Sequence, residues 1–371
     1  MYNGIYEKQK YLNNIDNYMN ECRKKQPFDI NYYIYNRLKE EKKIEKTILP
    51  LKIGLKITNY CYFNCSYCFS KKGKNYMTLE TVQNVINNLE QYPYIIYLTG
   101  GEPFLNPQVF DMIDYLYDKN ILIKIHTSGV IQNKELISQL THRKEKIDTI
   151  QISIDSIVNF EQLRPSHFDN PVKIIRNFIS EFNNREKIHV NCVLSKLNIN
   201  DVYSVIDFCY EEKISFLRLS TIFTKDNKLK LKDLENVYYY SKIIDYARKK
   251  NIILLSDPIC HPWSVKMLNG LHDNKPLFCP AQKTELEIDP EGNVYPCPFL
   301  YDDLHKMGNV NNMSISEIWE KGKVELNSTI WTKNDICRDC TNLENCGGGC
   351  YANAYLHKQN YDPRCCKVEK E

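Results

Sequence analysis

"TNYCYFNCSYC", residues 58–68, sets Cys61, Cys65 and Cys68 in a C-x3-C-x2-C spacing. Three thiolates this close can hold three irons of a cubane iron–sulfur cluster, and a [4Fe–4S] cluster normally takes four cysteines. With no obvious local fourth, one iron is left for an exogenous ligand, as chemistry on the cluster itself requires. Two other readings of the spacing stay open: a structural zinc site, and a cluster completed by a distant cysteine. Zinc sites usually pair C-x2-C knuckles, and this stretch holds one such pair.

The flanks read as strand and helix. "LKIGLKIT", residues 51–58, alternates in the manner of a strand and ends at the cysteines. Further short, β-branched runs lie at 94–99, 121–127, 149–154, 188–194 and 215–220. Helices are expected between and after them at 78–91, 107–119, 133–141, 171–184, 200–211 and 233–250, with Thr78 and Asn200-Asp201 as start signals. Strand–helix alternation implies a parallel sheet. Six units predict an α/β fold, a partial (β/α)6 TIM-like barrel over residues 50–255, with its site at the C-terminal strand ends. Both the cysteine loop and the loop Gly100-Gly101-Glu102-Pro103 follow strands and so face that end. Residues 1–49 read as a helical appendage, either packing against the barrel or contacting a peptide.

Cys61, Cys65 and Cys68, with Tyr67 just before the last and the GGEP loop downstream, resemble the radical S-adenosylmethionine (SAM) superfamily. The resemblance implies that the open iron binds SAM. Reductive cleavage then gives a 5′-deoxyadenosyl radical that abstracts hydrogen, the hard chemistry being the cofactor's. It implies an external electron donor, a flavodoxin or ferredoxin. By the same resemblance Gly100, Gly101, Glu102 and Pro103 lie beside the methionyl amino group, and Tyr67 lies near adenine. "HTSG" (126–129) and "SIDS" (153–156) offer Thr127, Ser128, Ser153 and Asp155 to the ribose or methionine, and Arg164 pairs with the SAM carboxylate. Ser128-Gly129 as a plain turn, Asp155 as a loop cap and Arg164 in a surface ion pair are the structural alternatives. Arg218 reads as a site residue or as a barrel ion-pair partner.

Beyond residue 255 the helical periodicity fades and nine cysteines fall between Cys260 and Cys366. Cys279, Gly292 and Cys297 precede a C-x2-C-x5-C-x3-C run at Cys337, Cys340, Cys346 and Cys350, followed by Cys365 and Cys366. The pattern resembles the SPASM extension of radical SAM enzymes, and 256–371 is expected to be a small cysteine-rich α+β domain. The resemblance implies two auxiliary [4Fe–4S] clusters, one on Cys279, Cys297 and Cys350, the other on Cys337, Cys340, Cys346 and Cys365. Either Cys260 completes the first or that cluster keeps an open iron, and Cys366 competes with Cys365 for the second. A zinc-ribbon-like module is the alternative for the whole segment. Cys192 and Cys209 read as core.

The 371 residues are 43% hydrophobic, enough for sizeable cores, and the formal charge of +3 offers no basic face for nucleic acid. The N-terminus lacks a signal-peptide apolar run, and no stretch approaches the ~18 apolar residues of a membrane span. Fifteen cysteines in an expected cytoplasmic chain point to metal rather than disulfides. SPASM enzymes mostly modify peptides, so the expected reaction is hydrogen abstraction from a ribosomal peptide, forming a thioether or carbon–carbon crosslink. The alternatives are formylglycine formation on a sulfatase, oxidation of a small alcohol, and a non-catalytic electron carrier. In sulfatase maturation an aspartate base typically follows the cysteine at position 297. Pro298 stands there and cannot take a proton, and Asp302 is the nearest substitute. The sequence names no catalytic base.

Overall fold

A computed structural model describes residues 47, 49–70, 72–87, 89, 93, 95–226, 228–230, 242–256, 279–322, 326, 335–339 and 349–363. The expected N-terminal appendage, save residues 47 and 49, lies outside them, as do Cys260, Cys340, Cys346, Cys365 and Cys366. Six strands match the expected runs closely: β1 (Lys52–Thr58), β2 (Ile95–Gly100), β3 (Leu122–Thr127), β4 (Thr149–Ser153), β5 (Ile188–Leu194) and β6 (Phe216–Thr221). A further strand, β7 (Ile253–Ser256), follows helical residues 242–249. β1 to β7 pair in parallel in chain order.

The sheet is longer than six strands because the C-terminal segment joins it. β8 (Glu285–Ile288) pairs in parallel with the free side of β1. β9 (Asn293–Tyr295) and β10 (Gly308–Asn309) continue antiparallel, giving the order β10-β9-β8-β1-β2-β3-β4-β5-β6-β7. β1 is therefore an interior strand with a neighbour on each side.

Period-2 alternation sorts the two faces of this sheet. Ile53, Leu55 and Ile57 of β1, Ile123 and Ile125 of β3, and Ile150 and Ile152 of β4 are fully buried. They share one core with Val82, Val85 and Ile86 of helix Leu79–Asn87 and Met112 and Ile113 of helix Val109–Asp118. Each such side chain contributes roughly 1.5–3 kcal/mol by leaving water. The intervening positions are polar and mostly half-buried, and they line the concave side. Tyr97 there meets Lys52 at 4.4 Å and the His126 ring at 5.0 Å.

Local signals explain most helix ends. Thr78 accepts from Thr81 N at 3.1 Å, and Asn133 caps helix Lys134–His142 through Glu135 N and Leu136 N. Asp201 departs from its expected role, because its side chain does not cap helix Val202–Glu211. It reaches back instead to the loop after β4, accepting from the Ser156 hydroxyl, Ile157 N and Val158 N. Long-range contact outbids the local cap here.

Candidate active site

The cysteine loop leaves the C-terminal end of β1 and is held on three sides. Phe63 is its buried anchor, stacked on Phe168 at 5.9 Å and edge-on to Phe160 at 6.3 Å. Asn64 N donates to Pro165 O at 2.9 Å, and Cys68 N to Cys65 O at 3.1 Å. Cys61 and Cys65 are half-buried and Cys68 is exposed. Burial pushes the Cys61 thiol up to about 11, and the charges of Glu102, Cys65 and Cys68 add to this. Cys65 is pushed up by burial too, against the pull of Arg164. Three thiols thus bear on one another at the mouth of the barrel.

The GGEP loop is stitched to this cysteine loop. Gly101 N donates to Thr58 O and Glu102 N to Tyr60 O, each at 2.8 Å. Gly100 adopts φ +138°, a region that excludes other residues. A Cβ on Gly100 would strike the Thr58 carbonyl oxygen, and one on Gly101 the Tyr60 carbonyl oxygen. The glycine pair is therefore required by the close approach of two backbones. Asn106, which the sequence reading passed over, closes the same seam by donating to Ile57 O at 2.7 Å and Met77 O at 2.9 Å. A lone buried asparagine in a loop carries no spacing signal that would have found it.

Glu102 is buried and spans to β3. It accepts from Thr127 Oγ1 at 2.6 Å, Ser128 N at 2.9 Å and Ser128 Oγ at 2.6 Å. Burial pushes its carboxyl above the usual range, and those Ser128 and Thr127 bonds oppose the rise. Ser128 is thus a ligand of Glu102 as well as part of a turn. Ser153 ends β4 beside Asn191.

Asp155 lies two residues beyond β4 and is 1% exposed. Its Oδ2 accepts from the Tyr67 hydroxyl and from Arg164 Nε, the latter at 2.5 Å. Arg164 is therefore in a buried ion pair, not a surface one, and its positive charge is held upward by Asp155 against burial. Tyr67, Asp155 and Arg164, named separately from the sequence, meet at one point.

At the other end of the chain, Cys297 packs with Cys350 and lies within electrostatic reach of Cys279. Burial raises the Cys297 thiol well above its ordinary value, and Cys350 and Cys279 add to the rise. Cys297 and Cys350 share a small core with Phe223 and Leu300. Cys337 sits apart from them, packed on Ala354, Tyr351 and Tyr361. Asp362 anchors Cys350 by accepting its N–H at 2.7 Å. Asp302 is committed elsewhere, accepting from His305 N and pairing with its ring at 2.7 Å. Cys192 and Cys209 are buried in the core as expected. Among the described residues no three His, Cys, Asp or Glu side chains converge tightly enough for a single metal ion.

The Radical SAM superfamily model matches residues 55–209, and the SPASM iron–sulfur cluster-binding domain matches residues 279–341. The chain thus carries a radical SAM domain followed by a SPASM domain. Mycofactocin maturase MftC of Mycobacterium ulcerans (strain Agy99) is 25% identical over 335 residues, 85% of this chain and 88% of MftC. Streptococcus suis SuiB bound to S-adenosylmethionine shares the fold, with a TM-score of 0.71 at 19% identity over 98% of this chain and 88% of SuiB. SuiB bound to its precursor peptide SuiA gives 0.69 at 21% identity over 91% and 79%. This radical SAM enzyme takes [4Fe–4S] clusters and SAM as cofactors. The donor set fits them, since soft thiols gathered on loops suit iron–sulfur chemistry. No helix among the described residues is long and apolar enough to cross a membrane.

Proposed function

We propose that this radical SAM enzyme abstracts hydrogen from a peptide substrate, in the maturation of a ribosomally made peptide by thioether or carbon–carbon crosslinking. The observation that carries the reading is the seam of three-cysteine loop, GGEP loop and Glu102 at the mouth of a polar barrel. Its relatives MftC, named a maturase, and SuiB, solved with a precursor peptide, support a peptide rather than a small molecule. The commitment of Asp302 to His305, together with Pro298, disfavours formylglycine formation.

Cys61, Cys65 and Cys68 would hold the SAM-binding cluster. Cys279, Cys297 and Cys350 would hold one auxiliary cluster, with Cys260 as the candidate fourth ligand. Cys337, Cys340, Cys346 and Cys365 would hold the other. When bound, the reduced cluster and SAM supply the radical that abstracts hydrogen. The protein's own part is to bind, orient and keep side reactions out. Glu102, held by Thr127 and Ser128, presents a fixed acceptor where the methionyl ammonium is expected. The barrel lumen offers the substrate polar groups from separate strands. His189 among them is pushed down to about 3 by burial, with Lys124 and Arg218 adding, so it stands neutral at physiological pH. Electrons would come from a flavodoxin or ferredoxin in the cytoplasm. We place the functional division at 1–49, 50–255 and 256–371, with β8 tying the last part to the barrel.

The test is iron and sulfide content after anaerobic reconstitution, beside a Cys61/Cys65/Cys68→Ala triple variant. About twelve irons, falling to about eight in the variant, match three [4Fe–4S] clusters. SAM cleavage should then be assayed with candidate precursor peptides. About four irons, the balance being zinc, would remove the auxiliary clusters and with them the case for a peptide.

A further inference from the structure

The cysteine loop has to hold a reactive geometry where the described residues between Thr58 and Leu79 form no helix or strand. Such loops keep their shape only through contacts with rigid elements behind them. Phe63 and Asn64 fasten the first half of the loop, as described above. The second half, from Cys65 to Cys68, carries Tyr67, whose hydroxyl donates to Asp155 Oδ2.

Asp155 is itself fixed from four directions. Oδ1 accepts from Val193 N of β5 at 2.7 Å, and Oδ2 also takes Arg164 Nε at 2.5 Å. Its backbone carbonyl accepts from Asn198 Nδ2 at 2.6 Å and lies 3.6 Å from the Cys192 thiol. Asn198 in turn donates to Val193 O at 2.9 Å and accepts from Ser195 N at 2.7 Å. The next residue, Ser156, is bound by the Asp201 carboxylate. The Asp155 carboxylate thus belongs to the loop after β4 and is bonded to Val193 of β5, two buried parts of the barrel. It reaches the cysteine loop through a single tyrosine hydroxyl. Arg164 completes the arrangement, its guanidinium 5.8 Å from the Tyr67 ring centre and its charge felt by Cys65.

We propose that Asp155 is a positioning residue for the cysteine loop, holding the Cys65–Cys68 segment to the barrel through the Tyr67 hydroxyl and Arg164. The proposal rests on the assignment of Cys61, Cys65 and Cys68 to the SAM-binding cluster. It gives Tyr67 and Asp155 a joint task, transmitted through one shared hydrogen bond, in place of separate contacts to SAM. A buried charge-assisted network of this kind acts as a unit, so the effects of its members should not add.

The test compares the anaerobically reconstituted full chain with Tyr67→Phe, Asp155→Asn and the double variant. Two readouts are taken: the rate at which an iron chelator strips the most labile four irons, and SAM affinity from the change SAM makes in the electron paramagnetic resonance spectrum of the reduced protein. Loss of a hydrogen bond to a charged acceptor should speed iron release and weaken SAM binding by about tenfold in Tyr67→Phe. The double variant should be no worse than Asp155→Asn alone, within about twofold. The slower-released irons should leave at the wild-type rate in all three, which separates loop positioning from general unfolding. Tyr67→Phe matching the wild type in both readouts, or effects that multiply in the double variant, would overturn the proposal. Should Asp155→Asn not fold, Tyr67→Phe alone decides it. A wild-type protein whose spectrum ignores SAM would instead overturn the SAM assignment, while the iron-release rates would still judge the tie.

Discussion

Two cysteine regions of this molecule are built in opposite ways. Cys61, Cys65 and Cys68 sit within eight residues of sequence, and the protein around them supplies the order: the Gly101 and Glu102 bonds to Thr58 and Tyr60, the Phe63 anchor and the Asp155 tie. Cys279, Cys297 and Cys350 are spread over seventy-two positions; tertiary structure gathers Cys297 and Cys350 into one small core, with Cys279 within electrostatic reach of Cys297. The first is a compact motif on a deep scaffold. The second has a thin core, so on the proposed assignment its cluster would carry more of the local fold. Metal bound by ligands that come together only in the folded state adds its binding energy to folding. The second region should therefore depend on its cofactor for structure, and the first for chemistry alone.

Separate cysteine variants test that contrast most sharply. Cys65→Ala should abolish SAM cleavage while leaving the thermal midpoint nearly unchanged, as read by deoxyadenosine assay and calorimetry. Deoxyadenosine production retained in that variant would break the contrast on the barrel side. Cys297→Ala should do the reverse: a clearly lower midpoint, loss of about four irons, and SAM cleavage still detectable without product. Equal melting behaviour of the two variants would show that the regions do not differ in this way.

The seam between the regions gives the next effect. Glu287 of β8 occupies the space left by Gly54 of β1, near Lys52 and the Tyr301 hydroxyl. Burial pushes its carboxyl up to about 7, with Lys52 opposing. A carboxyl raised on folding binds more protons folded than unfolded, so stability falls as pH rises from about 4.5 towards 7 and then levels. The drop is on the order of a few kcal/mol. Glu287→Gln should flatten it, as seen in thermal melts between pH 5.5 and 7.5. An unchanged slope would mean that Glu287 is not the titrating group at this seam.

Gly101→Ala is the mildest of these changes. Its methyl group meets the Tyr60 carbonyl, and forcing it in should cost about 2 kcal/mol by overpacking. The effect should appear as weaker SAM binding by the spectral titration, with auxiliary iron intact. Binding equal to wild type would show that the GGEP loop is not pinned to the cysteine loop as described.

How much of this was legible beforehand follows the same divide. The six leading strands could be read because a buried face and a polar face alternate along them, as in "LKIGLKIT". The three-cysteine motif could be read because its cysteines lie within eight residues. β8 could not be placed from sequence, because "ELEI" earns its position from Lys52 and the bare Gly54 some 230 residues away, where Lys52 bonds Glu285 across a separation of 233. Asp201 was read as a cap from local pattern, and the loop after β4 claimed its carboxylate instead. Tyr67, Asp155 and Arg164 were each singled out, but their mutual contact depends on the loop after β1 meeting the loop after β4, which no spacing reports.

The position of β1 between β2 and β8 also bears on how the protein is made. Synthesis runs from the N-terminus, so β1 emerges early and finds β2 soon after, while β8 is still more than 180 residues from being built. Throughout that interval the strand that ends in the cysteine loop is an open sheet edge, the kind of surface that pairs with other chains. Sealing it, and with it the floor beneath the cluster loop, waits until residue 288 is available. The sheet beneath the loop of Cys61, Cys65 and Cys68 is thus completed by a strand made long after that loop itself.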